Sequence, residues 1–197
     1  MKRGATKEEI ILATYDFIIR NGIRAIRVDE IAQMQGISKR TLYEMFVDRA
    51  GLIEACIEYM IRLQRRRIKQ CCNQEECDPL VRLFLLAEIY IDGLCLVKCN
   101  VLSEIMDSYS HHWAQLRQVW YSEFMQALTR CHQKQLFLSE IDIDHFVIKL
   151  FDILIEARRR GNHSYEDLRF LCRAVIRGSA TLQGIRQIDN LPPTMVC

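Results

Sequence analysis

The chain has 197 residues, half of them hydrophobic, with only three prolines, eight glycines and a formal net charge of +2. That is enough apolar material to bury a substantial core in one large domain or in a small domain beside a larger one, and too little charge for a polycation. No apolar run approaches the roughly 18 residues that span a membrane. Strand-forming runs are scarce and long segments repeat their apolar residues at helical spacing, so the chain is expected to be all-α.

The first helix is expected to start after Thr6, because Thr6 and Glu9 have capping-box spacing and Glu8 and Glu9 suit the positive end of a helix dipole. Ile10, Ala13, Thr14, Phe17 and Ile18 then share one face, and Asn21-Gly22 stops it. A short second helix fits Val28 to Met34. Gln35-Gly36-Ile37 makes a turn, and Ser38 is a good N-cap for a third helix reaching Phe46. Two short helices joined by a Gly-containing turn, behind a longer first helix, form a helix-turn-helix bundle. A fourth helix begins near Asp48, runs on through RLQRRRIKQ and connects the bundle to the remainder of the chain. After the polar break Cys71–Asp78, further helices are expected at about 79–97, 100–108, 110–134, 143–160 and 165–187, about nine in all.

Charge is unevenly spread. Residues 1–70 hold 14 Lys/Arg against 9 Asp/Glu, a balance of +5, and the remaining 127 residues hold 13 against 16, a balance of −3. An N-terminal part facing an anion is the natural reading. On a helical wheel, Leu42, Met45 and Phe46 fall on the same side as Ser38, whereas Lys39, Arg40, Tyr43 and Glu44 point the other way with Thr41 at the edge. A short helix anchored by apolar residues and projecting cations and a phenol suits a DNA major groove. Arg40 fits a guanine edge and Lys39 a guanine or a phosphate. Tyr43 fits a phosphate or a thymine methyl, and Glu44 a cytosine amine. The competing reading is a solvated face in which Arg40 pairs with Glu44 at i,i+4. Arg24 and Arg27 near the start of the second helix, Arg49 at the start of the fourth and the basic arm Lys2-Arg3 favour the DNA reading, since phosphate contacts position such a module.

Residues 10–55 resemble the DNA-binding domain of the TetR family of transcriptional regulators. The matching residues are Ala13, Phe17 and Gly22, then Val28-Asp29-Glu30-Ile31-Ala32, Gly36-Ile37-Ser38-Lys39, Thr41-Leu42-Tyr43, Phe46, Arg49 and Leu52. The family often has threonine or serine at the places of Ile26 and Arg27, glycine or alanine at Arg40 and an aromatic at Met45. Met45 therefore lacks the phosphate hydrogen bond that a tyrosine there commonly makes, and Arg40 supplies an unusual charge. The resemblance implies a DNA-binding domain over residues 1–48 and a helical effector-binding and dimerisation domain over residues 49–197, with the helix over 49–70 connecting the two.

The residues of the second part agree in outline. Phe146, Leu150 and Leu154 belong to a helix too apolar for one exposed face, and Leu171, Val175, Gly178 and Leu182 run at heptad-like spacing. Pairing these helices with their copies gives a two-fold four-helix interface, and a reader of this size needs a second half-site. Tyr109, His112, Trp113, Trp120 and Tyr121 mix aromatic bodies with polar tips, as small-molecule cavities do. The nine cysteines show no C-x-x-C pair, so neither a metal nor a cofactor is expected. The start, MKRGATKEE, lacks the apolar core of a secretory signal, which makes reduced cysteines and a cytoplasmic location the expectation. With no Gly-rich phosphate loop, H-E-x-x-H or nucleophile motif, an enzyme is the weaker reading. The sequence therefore points to a homodimeric repressor that a small-molecule effector releases from a palindromic operator in double-stranded DNA. The alternatives are a regulator that works through a protein partner or without effector, and a helical protein that does not bind DNA.

Overall fold

Thr6 opens the first helix as its spacing requires. Its hydroxyl accepts from the Glu9 amide at 3.2 Å, and the Glu9 carboxylate accepts from the Thr6 amide at 2.7 Å. The computed structural model describes residues 5–72, 77–161 and 163–192, with the side chains of residues 71, 72 and 161 left out. Lys2 and Arg3, along with the Cys71 and Cys72 side chains, lie outside the described residues. Among the described residues ten α-helices succeed one another: α1 (Lys7–Asn21), α2 (Val28–Met34), α3 (Lys39–Phe46), α4 (Arg49–Cys72), α5 (Pro79–Leu96), α6 (Cys99–Ser108), α7 (Ser110–Gln133), α8 (Ile143–Gly161), α9 (Tyr165–Gly178) and α10 (Leu182–Asn190). A short 3₁₀ turn, Ile23–Ala25, separates α1 from α2. No described helix is long and apolar enough to cross a membrane.

The chain forms two compact units. The first comprises Met1–Gln64 and Val97–Ala114. Its core is built on Ile10, Ile23, Ile31, Leu42, Leu52 and Val101, each at most 1% exposed. The segment carrying α6 belongs here for a visible reason: a Cβ at Gly22 would meet Val101 Cγ2 at 3.6 Å, and Arg24 pairs with Glu104 at 3.7 Å.

The second unit comprises Arg65–Leu96 and Gln115–Cys197. Helix α5 is apolar on nearly every side and is buried accordingly. An aromatic cluster fills this core, with Tyr90 stacked on Phe151 at 4.7 Å and edge-to-face on Trp120 at 5.3 Å. Two polar ties hold neighbouring helices to α5. Arg82 donates to Glu123 and Gln126 on α7, and Glu88 accepts from Arg169 and from the Tyr165 hydroxyl on α9.

Among the described residues the expected nine helices become ten, because the stretch expected as one helix over 165–187 is two. Ala180 pairs with Phe137 in an isolated β-bridge, Leu138 N donates to Ser179 O, and Thr181 N donates to Leu136 O. These bonds draw the backbone out of the helix over Ser179–Thr181. Thr181 then caps α10, accepting from the Gly184 amide at 3.2 Å. Apolar residues continue at helical spacing across the break, so periodicity alone cannot reveal it.

Cys56, Cys131 and Cys172 are buried, whereas Cys77, Cys95 and Cys99 are half-buried. Desolvation pushes each of the three buried thiols up to about 12, so they serve as small apolar fillers. Among the described residues, no group of three or more His, Cys, Asp or Glu side chains is placed to hold a metal ion.

Candidate nucleic-acid interface

The turn between α2 and α3 is a Schellman motif. Gly36 adopts φ 64°, its amide donates to Gln33 O at 3.1 Å, and Ile37 N donates to Ala32 O at 3.0 Å. Ser38 then caps α3 as its position demands. Its hydroxyl accepts from the Thr41 amide at 3.0 Å and lies 2.8 Å from the Thr41 hydroxyl. Leu42 and Phe46 are buried and fix the helix, and Met45 is half-buried beside them. Lys39, Arg40, Tyr43 and Glu44 are exposed, with Thr41 at the margin, so the wheel read from the sequence is the arc that α3 presents to solvent.

The cations on that arc have acidic partners. Lys39 Nζ lies 2.7 Å from Asp29 Oδ1 on α2, and this hydrogen bond and charge hold the ammonium above the ordinary lysine value. Arg40 Nε donates to Glu44 Oε1 at 3.0 Å, while the side chains stay 88% and 61% exposed. Pairs this exposed contribute little to stability, because solvent screens them. Asp29 is a member of the site that sequence spacing does not reveal, since it stands ten residues from Lys39 on another helix.

The flanking arginines have different roles. Arg27 is exposed at the N-cap of α2 and gives it no side-chain acceptor, which leaves the first-turn amides uncapped by that residue. Arg49 is half-buried. It donates from Nη2 to Ile23 O at 2.7 Å and from Nε to Ile26 O at 3.1 Å, closing the carboxyl end of the 3₁₀ turn. Arg49 thus ties the start of α4 to the entry of α2, a role its position in the sequence does not announce. The corner between α3 and α4 is tight. Val47 adopts φ 60°, costly for a β-branched residue, and Asp48 accepts from the Gly51 amide at 2.8 Å.

The five aromatic residues expected to line an effector cavity are divided between the two units. Tyr109, His112 and Trp113 belong to the first and are half-buried, and burial pushes the Tyr109 phenol up. Trp120 belongs to the second and is 3% exposed within the aromatic cluster. Tyr121, half-buried, donates its hydroxyl to Asp144, which pushes the phenol up.

Of the residues expected at a dimer interface, Leu150 and Leu154 are buried in the chain's own core. Phe146 is half-buried against Phe137, Leu171 and Val175 are half-buried, Gly178 is open, and Leu182 is 77% exposed. Beside the buried stripe, Asp152, Ile153, Glu156, Ala157 and Leu171 line an open groove of about 630 Å³. Phe170, 77% exposed, is absent from the residues that the sequence places at an interface.

Residues 10–56 match the profile of the bacterial regulatory proteins of the tetR family. No curated protein matches the chain. Among solved structures, a TetR transcription regulator from Haloarcula marismortui is 19% identical, with 89% of this chain and 98% of that one covered at a TM-score of 0.70. A protein from Saccharomonospora viridis in complex with choline is 17% identical, with 88% and 96% covered at a TM-score of 0.75. RolR in complex with resorcinol is 16% identical, with 97% and 96% covered at a TM-score of 0.58. At these identities the likeness is one of fold.

Proposed function

Because the chain belongs, through residues 10–56, to the tetR family of bacterial regulatory proteins and is thereby a DNA-binding transcriptional regulator, we propose that it acts as a homodimeric repressor. It binds a palindromic operator and leaves it when a small-molecule effector binds. The observation that carries the reading is the exposed arc of Lys39, Arg40, Tyr43 and Glu44 on a helix fixed from behind by Leu42 and Phe46. Such a helix enters a major groove, with Ser38 and Thr41 at its leading end and Arg24 and Arg27 beside it for backbone phosphates. Arg49 supports the module by holding the 3₁₀ turn against α4.

In this reading residues 1–48 carry the DNA contacts, residues 49–197 carry pairing and effector binding, and the helix over 49–70 joins them. The second copy covers the outward face of α8 and α9, where Ile153 and Phe170 are exposed. Two copies then present α3 to successive major grooves about 34–36 Å apart. An effector releases DNA by favouring an arrangement in which that spacing no longer fits, a coupling typically of about 1–3 kcal/mol. That proteins of this fold were crystallised with choline and with resorcinol supports a small-molecule effector, and the difference between those ligands gives no guide to its chemistry.

Selection of bound duplexes from random oligonucleotides by the purified protein, at low salt, tests the reading. A palindrome with half-sites one helical turn apart is expected. Recovery of no palindromic enrichment overturns it.

A further inference from the structure

Resting on the assignment of α3 as the DNA-reading helix, we infer that Arg40 and Glu44 work as one composite reader of a single G·C base pair in each half-site. Three observations lead there. Both side chains stand on the exposed arc, at 88% and 61% exposure. They are joined through Arg40 Nε to Glu44 Oε1 at 3.0 Å, a bond that does not use the two Nη groups at the guanidinium tip or the second carboxylate oxygen. Their helix is fixed against the bundle by Leu42 and Phe46, at 0% and 4% exposure, and capped by Ser38.

The chemistry rests on the order of donors and acceptors. The joined pair presents two N–H donors and then a carboxylate acceptor, held in that sequence by the internal hydrogen bond. In the major groove a G·C pair presents N7 and O6 as acceptors on guanine and then the N4 amine of cytosine as a donor. The two series are complementary. An A·T pair presents acceptor, donor, acceptor and a methyl group, so the second guanidinium donor meets an amine and the carboxylate meets the O4 of thymine. The ion pair is thus no mere neutralisation of a surface charge: Glu44 orients the fork and supplies the third contact.

The same fixed pair explains how a glutamate is tolerated on a helix facing phosphates. Its charge is offset by Arg40 within the reader, and its cost to DNA binding is confined to sequences where no amine meets it. Lys39, paired to Asp29 on the neighbouring helix, lies outside this unit and contributes a separate contact.

The experiment is duplex selection and titration with the full-length wild type, Arg40→Ala, Arg40→Lys, Glu44→Gln and the double variant Arg40→Ala/Glu44→Gln, with circular dichroism melts of each to show that the fold is kept. The wild type is expected to hold G·C at one position of each half-site and to lose about 5- to 150-fold in affinity when that pair becomes A·T. Arg40→Ala, Arg40→Lys and Glu44→Gln should each relax that same position and no other. The double variant should discriminate no less than Arg40→Ala alone, because one unit has already been broken. Relaxation at two different positions, or additive losses in the double variant, overturns the composite reader while leaving DNA binding intact. Failure of the wild type to select any sequence overturns the underlying assignment as well, so the two failures are distinguishable.

Discussion

Three helical glycines set helix propensity against packing, and the structure fixes a sign for each. Replacing glycine by alanine inside a helix ordinarily stabilises by about 0.5–1 kcal/mol. At Gly178 a Cβ would meet nothing within 4 Å, so Gly178→Ala should gain up to about 1 kcal/mol. At Gly51 the Cβ would stand 2.5 Å from Phe46 O, and at Gly184 it would stand 2.1 Å from Leu136 O. Reaching even the 3.0 Å floor of observed contacts requires about 0.5 Å of movement in the first case and about 0.9 Å in the second. The obstacle is backbone in both, and at Gly51 it is the carboxyl end of α3, where Val47 already sits at φ 60°. Overpacking of this kind costs about 1–3 kcal/mol, which outweighs the propensity gain. Gly51→Ala should therefore be destabilised by up to about 2.5 kcal/mol, and Gly184→Ala by at least as much. Urea unfolding followed by far-ultraviolet circular dichroism measures all three. If Gly51→Ala and Gly184→Ala prove as stable as Gly178→Ala, the close approach assigned to α3–α4 and to α10 is wrong. Under the proposed function Gly51→Ala should also weaken operator binding, because the displaced Phe46 carbonyl ends α3, the helix proposed to read DNA.

The site carries further expected outcomes. Arg49→Ala removes two hydrogen bonds from Ile23 O and Ile26 O, and should cost about 1–3 kcal/mol in thermal or urea unfolding. Arg49→Lys should recover only part of it, since one ammonium does not span both carbonyls as the planar guanidinium does. Asp29→Asn frees Lys39 from its partner, so affinity for random duplex at low salt should rise and the slope of log affinity against log salt should steepen by about one. If the proposed pairing through α8 and α9 holds, Phe170→Glu or Ile153→Glu should shift the protein from dimer to monomer in sedimentation velocity and weaken operator binding. A change at the exposed Leu12, which belongs to the first unit, should leave the dimer unaltered.

Local chemistry explains why the first part of the fold was legible. Thr6 with Glu9, Gly22, Gly36 and Ser38 each act within five residues, so the sequence carries both members of every interaction. The arc on α3 was legible for the same reason, as four exposed residues alternate with two buried ones on one short helix. What escaped depends on partners far along the chain. The break before α10 is made by Leu136 and Phe137, more than forty residues from Thr181 and Ala180. Arg49 spends its donors on carbonyls 23 and 26 residues away, although its type and place suggest a phosphate contact. Leu150 and Leu154 show the same limit: periodicity marks a face as apolar, and the neighbouring helices decide whether that face is core or surface.

The discontinuity of the first unit bears on how this protein can be recombined with others. A cut after α3 or within α4 is the simplest way to exchange the first part of the chain between proteins. Here such a cut would graft α1 to α3 without Val101, which is fully buried, and without Glu104, which partners Arg24. A hybrid that keeps α6 with the module should retain its operator, whereas one that takes α6 from the recipient inherits a foreign surface against Gly22. The transferable piece is therefore a set of two segments, residues 1–64 and 97–114, rather than a single length of chain.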